Sequence, residues 1–315
     1  MPQMSNSQAR VIDPILSAVA QGFNHNAYVG AALFPVVPVD SSGGKIITFG
    51  KESFMLYNTG RSPGQDTKTV QFGYAGANYA LEQHALTGVL PMETQREAAA
   101  VPGIDMATYT IRQTQNIIAM RLEKARADLS RTAANYGTNT ITLTGTDQWS
   151  DFVAAGSDPG DDVEVAKEAI RSKTGKRPNT MVIGAAVYSK LRRHPKILDF
   201  FKFSGSSGQL VTGAMLSQYF EVENVQVGDA AFSDDNGNFS DIWGKDAILA
   251  YTEVNSLANM GAPTFGYTYQ LRDYPVAEEP YYQRSNKSWM FPVTDEVAPV
   301  IAGASAGYLI RNCVA

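Results

Sequence analysis

The stretch that decides the fold runs from Ile104 to Tyr136 and reads IDMATYTIRQTQNIIAMRLEKARADLSRTAANY. Its apolar residues recur three, four or seven positions apart, which places them on one stripe of an α-helix. They are Ile111, Ile118, Leu122, Ala125, Leu129 and Ala133. Asp105 suits the N-cap and Gly137 the C-cap. About 30 residues would form a rod of roughly 45–50 Å. We therefore predict a long spine helix.

Four of these residues, Ile111, Ile118, Leu122 and Leu129, are predicted to form the buried core of the spine helix. A charged residue on this stripe would be buried without a partner. Leu122→Arg is therefore expected to cost several kcal/mol and to leave the protein insoluble or unfolded.

The composition is that of a folded protein with an acidic net charge. The chain has 315 residues, of which 44% are hydrophobic and 18% charged, and its formal net charge is −5. This length suits two modest domains, or one domain with large excursions. A protein that binds DNA mainly through the phosphates is normally basic. Tight nucleic-acid binding is therefore not expected to be the main function.

The lone cysteine, Cys313, excludes an intramolecular disulfide. No apolar segment follows a basic start, so no signal peptide is expected. The apolar run between positions 27 and 39 is too short to cross a bilayer. We expect a protein without membrane contact that is soluble in the cytoplasm when made.

The region before residue 81 is expected to extend away from a core. Residues 1–39 contain a short helix near Ile12–Val19 and then the proline-spaced run Leu33–Val39, and they are interpreted as an arm. Residues 40–80 are interpreted as a long two-stranded loop, with strands near Lys45–Phe49 and Thr69–Tyr74. An isolated ribbon is marginal in water. We therefore expect its tip to lie on another surface.

After Gly145 the pattern becomes that of an α/β unit. Asp161 or Asp162 is expected to cap a helix that ends before Gly175. The other predicted elements are a buried strand at Thr180–Gly184, helices at Ala185–Arg193 and Gln209–Phe220, strands at Val225–Val227 and Ile248–Tyr251, and a hairpin turn at Asp235–Gly237. From Thr264 onward the chain reads as strands, ending in Gly307–Ile310.

The sequence contains no constellation typical of catalysis. The three histidines, His25, His84 and His194, lack the i+4 partners of a zinc helix. Acid pairs such as Glu278-Glu279 and Asp161-Asp162 could in principle do general acid–base chemistry, but a solvated turn and a helix cap explain them. We expect no catalytic residue, no metal and no cofactor.

An ordered set of motifs resembles the tailed-phage major capsid proteins. The set comprises Arg61–Gly64, Tyr79–Leu86, Val89–Glu93, the helix at Ile104–Tyr136, Gly145–Asp151, Thr174–Gly184, Val222–Gly228, Ile242–Lys245 and Ala306–Ile310. Each motif alone is weak, but together they cover essentially the whole chain in the family's order.

The resemblance implies an α+β fold with four parts. They are an N-terminal arm (1–39), an extended β-hairpin loop (40–80), a discontinuous peripheral domain with the spine helix and a β-sheet (81–145 and 262–315), and an α/β axial domain (146–261). It also implies intersubunit contacts at the loop tip. The candidates are Tyr57, Asn58, Arg61, Ser62, Pro63, Gly64 and Asp66.

The function implied by the resemblance is structural. Hexamers and pentamers of the chain would form an icosahedral head around phage double-stranded DNA, assembled in the bacterial cytoplasm. The implied partners are other copies of the chain, a separate scaffolding protein, a portal protein at one vertex, a decoration or cement protein, and packaged DNA in non-specific contact. Covalent crosslinking through Lys45, Lys51 or Lys68 is not expected, because no crosslinking pattern is matched.

Two other functions remain open at this point. An encapsulin-like nanocompartment shell would share the fold but enclose cargo proteins. An α/β enzyme belongs to a different class, and a monomer with a ligand-induced shift in melting temperature would favour it.

Overall fold

The computed structural model describes residues 28–45, 59–62, 64, 66–67, 78–99, 105–153, 156–202, 211–253 and 264–315. The α-helices are α1 (Gly30–Leu33), α2 (Met92–Ala99), α3 (Met106–Arg131), α4 (Pro159–Thr174), α5 (Ala185–Leu191), α6 (Pro195–Phe201) and α7 (Gly213–Phe220). The strands are β1 (Val36–Val39), β2 (Gly43–Lys45), β3 (Asn78–Ala80), β4 (Glu82–Pro91), β5 (Thr140–Thr142), β6 (Thr180–Gly184), β7 (Asn224–Gly228), β8 (Ala231–Ser233), β9 (Phe239–Asp241), β10 (Ala247–Ala250), β11 (Gly266–Leu271), β12 (Val276–Ala277), β13 (Tyr281–Gln283), β14 (Ser288–Ile301) and β15 (Gly307–Arg311).

Helix α3 is the spine helix. Its N-cap is Asp105, as predicted, and the carboxylate accepts the N–H groups of Ala107 at 3.0 Å and Thr108 at 3.3 Å. The helix is shorter than expected, because Thr132 adopts an extended backbone and a 3-10 turn follows at Ala133–Tyr136. Its 26 residues span about 39 Å at the usual helical rise.

The buried face of α3 changes character along the helix. Ile111 and Ile118 are buried, with Leu90, Phe291 and Val293. In the second half the buried residues are polar or small: Glu123, Arg126, Ala127 and Ser130. Leu122 and Leu129, expected in the core, are only half-buried. The expectation for Leu122 was wrong. Glu123 and Arg126 are buried instead, because they form hydrogen bonds with residues of other elements.

The first sheet has six strands around β14. One side of β14 pairs with β4 over ten positions, from Ser288↔Pro91 to Val297↔Glu82. The other side pairs in turn with β13, β12 and β11, and β1 joins the edge of β11. Helix α3 packs across β4 and β14. Gly88 makes this approach close, since a Cβ there would lie 2.5 Å from the Thr110 Cγ2 atom.

Residues 28–39, the described part of the expected arm, belong to the core of the same chain. Leu33 and Phe34 are fully buried, and the Phe34 ring lies 5.4 Å from that of Phe265. Strand β1 pairs in parallel with β11. Interpreting this segment as an arm was therefore wrong, because its apolar side chains pack against distant residues of the same chain. The helix expected near Ile12–Val19 lies outside the described residues.

The second sheet has the order β5-β15-β10-β6-β7. Strands β6 and β10 are buried at every residue, as expected for a sheet covered on both faces. Strand β15 pairs with β10 and β5. The final strand and residues 140–142 therefore lie in the sheet of the α/β unit, and assigning them to the peripheral domain was wrong. Leu309 enters one core and Ile310 the other.

The N-cap of helix α4 differs from the prediction, whereas its C-terminal end agrees with it. Asp158, not Asp161 or Asp162, is the N-cap of α4, and Pro159 takes the first helical position. Asp162 instead accepts the indole N–H of Trp149 at 2.7 Å. The helix ends as predicted before Gly175, whose φ of 69° provides the left-handed C-cap.

Candidate assembly surfaces

The base of the two-stranded loop is fixed to the first sheet. Strands β2 and β3 pair antiparallel, with Gly44 opposite Tyr79. The Tyr79 ring stacks on Tyr269 of β11 at 4.3 Å between centroids. A Cβ at position 44 would lie 2.8 Å from the Tyr79 ring, so glycine leaves room for this stacking. Strands β2 and β3 are therefore anchored to the first sheet.

The predicted tip is only partly described. Arg61, Ser62, Gly64 and Asp66 are all exposed. Arg61 donates to the Thr67 hydroxyl at 3.4 Å, and Gly64 has a φ of 84°. Tyr57, Asn58 and Pro63 lie outside the described residues. The described part of the tip thus presents backbone and polar side chains to solvent, as a surface turn does.

A groove lies where the loop base meets the spine helix. Its volume is about 570 Å³. It is lined by Ala80, Leu81, Glu82, His84, Arg121, Leu122, Lys124, Ala125, Asp128, Val297, Ala298 and Pro299. The residues are mixed in chemistry, with an apolar part at Leu122 and Ala125 and charged groups around it. The partial exposure of Leu122 is explained by its place in this groove.

Glu123 is the centre of a buried hydrogen-bond hub. Its side chain is fully buried and accepts the backbone N–H groups of Val29 at 2.8 Å and Gly30 at 2.9 Å. It also accepts the indole N–H of Trp243 at 2.9 Å. A buried carboxylate requires hydrogen-bond donors, and these three groups supply them. One side chain thereby connects the spine helix to α1 and to the α/β unit.

Arg126, one turn further along α3, connects the helix to the first sheet. Its Nε donates to the Thr268 hydroxyl at 3.0 Å, and that hydroxyl donates to the Phe34 carbonyl at 3.0 Å. Burial lowers the pKa of Arg126 to about 10, against the opposing effects of Glu123 and Asp295. The guanidinium therefore remains charged at neutral pH.

Asp295 on β14 is a second buried carboxylate near the hub. Burial raises its pKa, while the hydrogen bond from Gln270 at 2.8 Å and the charges of His84 and Arg126 act in the opposite direction. It lies directly opposite His84 in the β4–β14 register. The centre of the first sheet therefore contains a carboxyl group whose pKa burial raises above its usual value.

Arg131 connects the end of α3 to the second sheet. Its Nε donates to Asp246 at 2.7 Å and its Nη1 to the Ile242 carbonyl at 3.1 Å. Asp246 also accepts the backbone N–H of Asn312 at 3.0 Å. Together with Glu123 and Arg126, these contacts make α3 a frame shared by both sheets.

The sequence did not predict that Glu123, Arg126 and Arg131 join the two sheets. They are charged residues on a helix that was expected to bury only an apolar stripe. One signal pointed toward them. Glu123, Arg126 and Ser130 recur at spacings of three and four, the spacing of a single helix face. A buried tryptophan also requires an acceptor for its indole N–H.

The described residues show no arrangement suited to catalysis or metal binding. The closest is a buried pair in which the Ser157 hydroxyl and His194 Nε2 lie 3.1 Å apart. His194 Nδ1 has no partner, so the acid that would orient such a histidine is missing. Within the described ranges, no group of three His, Cys, Asp or Glu residues could hold a metal ion. None of the described helices is long and apolar enough to cross a membrane.

Comparisons with known proteins agree on one family. The model of the family described as phage major capsid protein E matches residues 132–290. The major capsid protein of Burkholderia phage BcepMu is 37% identical over 311 residues, which cover 97% of this chain and 98% of that protein.

Solved structures extend the comparison. A phage-related protein from Bordetella bronchiseptica RB50 has 40% identity and a TM-score of 0.81, over 97% of this chain and 98% of that one. The capsid of cyanophage P-SCSP1u matches with a TM-score of 0.58 at 13% identity, over 92% and 89% of the two chains. The latter likeness concerns the fold alone.

Proposed function

The chain belongs to the phage major capsid protein E family, and we propose that it assembles as hexamers and pentamers into the icosahedral head around phage double-stranded DNA. Its mixed α+β fold is that of phage capsid proteins. It is a structural protein of the phage capsid and not an enzyme. The identity to a phage major capsid protein favours the phage head over an encapsulin-like shell.

The observation that carries the proposal is the anchored loop whose described tip residues are exposed. The Tyr79–Tyr269 stack fixes the base of the loop, while Arg61, Ser62, Gly64 and Asp66 at its tip are exposed. A two-stranded excursion gains stability when a neighbour completes its buried surface. We assign the tip, including Tyr57, Asn58 and Pro63, to contact with an adjacent subunit.

The frame around α3 supports the same function. In a shell subunit, contacts that fix the relative placement of the two sheets also fix the surfaces presented to neighbouring subunits. In this chain three buried or half-buried charged residues, Glu123, Arg126 and Arg131, join the two sheets through one helix. We assign the first sheet with α3 to a peripheral unit, and the second sheet, including β5 and β15, to an axial unit.

The further partners proposed are a separate scaffolding protein, a portal protein at one vertex and a decoration protein on the outer surface. Contact with packaged DNA is proposed to be non-specific. The net charge of −5 is consistent with a container that releases its DNA, since a strongly basic wall would retain it.

Shortening the loop tests the proposal. Residues 57–66 are replaced by a short Gly-Ser turn, and a matched variant replaces the same ten residues by Gly and Ser at full length. Both variants are expected to keep the circular dichroism and melting of the wild-type subunit. Electron micrographs should show few shells for the short loop. The full-length replacement then separates loss of reach from loss of side-chain contacts.

Normal particles from the shortened chain would show that the loop is not an intersubunit contact. Failure of the shortened chain to fold would show that residues 40–80 belong to a core. Wild-type protein that remains a monomer, alone and with its scaffolding gene, would count against the capsid assembly itself.

A further inference from the structure

Two exposed surfaces lie on opposite faces of the second sheet. Helices α5 and α6 pack on the face that presents Met181 and Ile183. The hairpin β8–β9 packs on the other face, where Phe232 lies against the core that contains Val182 and Ile248. Alternate residues of a strand point to opposite faces, so these cores, and the surfaces outside them, are separated by the sheet.

The two surfaces carry opposite charge. Residues 190–202 contain five lysines or arginines and one aspartate, and residues 229–241 contain four aspartates and no lysine or arginine. On the first surface Lys190, Arg193 and Lys202 are exposed, and no carboxylate of the described residues lies within salt-bridge distance of them. Asp235 and Asp241 on the hairpin are exposed and likewise unpaired within the described part of the chain.

Each surface also exposes a large apolar side chain. Phe200 on α6 is 59% exposed and Leu198 is 40% exposed, while Phe239 at the end of the hairpin turn is 81% exposed. Exposed aromatic residues within a charged rim are typical of protein–protein contacts. The hairpin also contacts α3, since the Lys124 ammonium lies 5.2 Å from the centre of the Phe232 ring.

We propose that the β8–β9 hairpin of one copy docks on the α5–α6 surface of the next copy within a ring of subunits. This inference rests on the proposed function and names the contact between neighbours. A closed ring requires heterologous contacts, in which two different patches of each subunit meet. Here the two patches lie on opposite faces of one sheet and have opposite charge.

The charges also disfavour an isologous dimer, the simplest alternative. An isologous dimer through either surface would bring like charges together, which disfavours the contact. Head-to-tail docking instead brings Asp235 and Asp241 toward Lys190, Arg193 and Lys202. The partner is therefore a second copy of this chain, in an orientation that leaves one surface of each kind free until the ring closes.

Charge reversal on each surface tests this contact. One variant combines Asp235→Lys with Asp241→Lys, a second combines Arg193→Glu with Lys202→Glu, and a third carries all four changes. None of the four residues is buried, so all variants should melt as the wild type does. Native mass spectrometry and micrographs, with the scaffolding gene co-expressed, then report rings and shells.

Each two-residue variant is expected to lose rings and shells by about tenfold or more, because every contact in the ring then pairs like charges. The four-residue variant should recover them, since complementary charges are restored at each contact. The proposal is overturned if either two-residue variant forms rings and shells at the wild-type yield. It is also overturned if the four-residue variant folds but forms no more rings and shells than the two-residue variants. Wild-type chain that forms no rings overturns the proposed function together with this contact.

Discussion

The indole N–H of Trp243 donates to the carboxylate of Glu123 across 120 positions of sequence, at 2.9 Å. This bond joins the spine helix to the α/β unit at a point where both side chains are fully buried. The same carboxylate accepts the N–H groups of Val29 and Gly30. The relative placement of three distant segments therefore depends on one acidic side chain.

Removing that carboxylate should destabilise the whole subunit. Glu123→Ala leaves three buried donors without an acceptor and removes one of the two carboxylates that act on Arg126. We expect a loss of about 3–5 kcal/mol in the free energy of unfolding. Chemical denaturation measures it. Asp128→Ala, on the exposed side of the same helix, is the control and should change stability by only about 0.5 kcal/mol. Equal losses from the two variants would contradict the hub.

Charge insertion along α3 should have opposite outcomes at two positions. Ile111 is fully buried, and Ile111→Arg should cost more than about 3 kcal/mol and prevent soluble expression. Leu122 lines the groove near Glu82 and Asp128, and Leu122→Arg should cost at most about 1 kcal/mol. Soluble yield and denaturant midpoints report both. An insoluble Leu122→Arg variant beside a soluble Ile111→Arg variant would invert the assigned faces.

The stability of the subunit should depend on pH through Asp295. Burial raises the pKa of this carboxyl above its unfolded value. The folded state therefore favours the protonated form, and that stabilisation is present below an unfolded pKa of about 3.9 and lost as pH rises through the folded pKa. Asn cannot ionise, so Asp295→Asn should gain stability relative to wild type as pH increases.

Unfolding free energies between about pH 4 and pH 7 measure the difference. Asp128→Asn, at an exposed position on α3, provides the control for replacing an aspartate by asparagine. A difference between Asp295→Asn and wild type that stays constant over this range would show that burial does not govern the ionisation of Asp295.

Cys313 should be unreactive in the folded protein. Its side chain is fully buried, and burial raises the pKa of its thiol well above the ordinary value. Because the thiolate is the reactive form, a thiol reagent should label it only after unfolding. A Ser62→Cys variant adds a thiol at an exposed position. The reagent should label this added thiol at once and leave Cys313 unlabelled. Rapid labelling of wild type would show that the segment after β15 opens readily.

Much of the local structure could be predicted from the sequence. The spine helix and its Asp105 cap, the buried strand at Thr180–Gly184 and the stop at Gly175 follow from periodicity and from residues with strong positional preferences. These signals act over a few residues, so neighbours in sequence are sufficient to determine them. The ordered motifs also indicated the family of capsid proteins.

The tertiary structure decided which segments meet. Strand β15 could have closed either sheet, because its apolar pattern suits any covered position, and only pairing with β10 and β5 assigns it. Residues 28–39 form part of the core because Phe34 finds Phe265. Glu123 is buried and Leu122 half-exposed because Trp243, Val29 and Gly30 supply the donors that a charged group needs in a core. Such partners lie about a hundred residues apart in the chain, beyond the range of any local pattern.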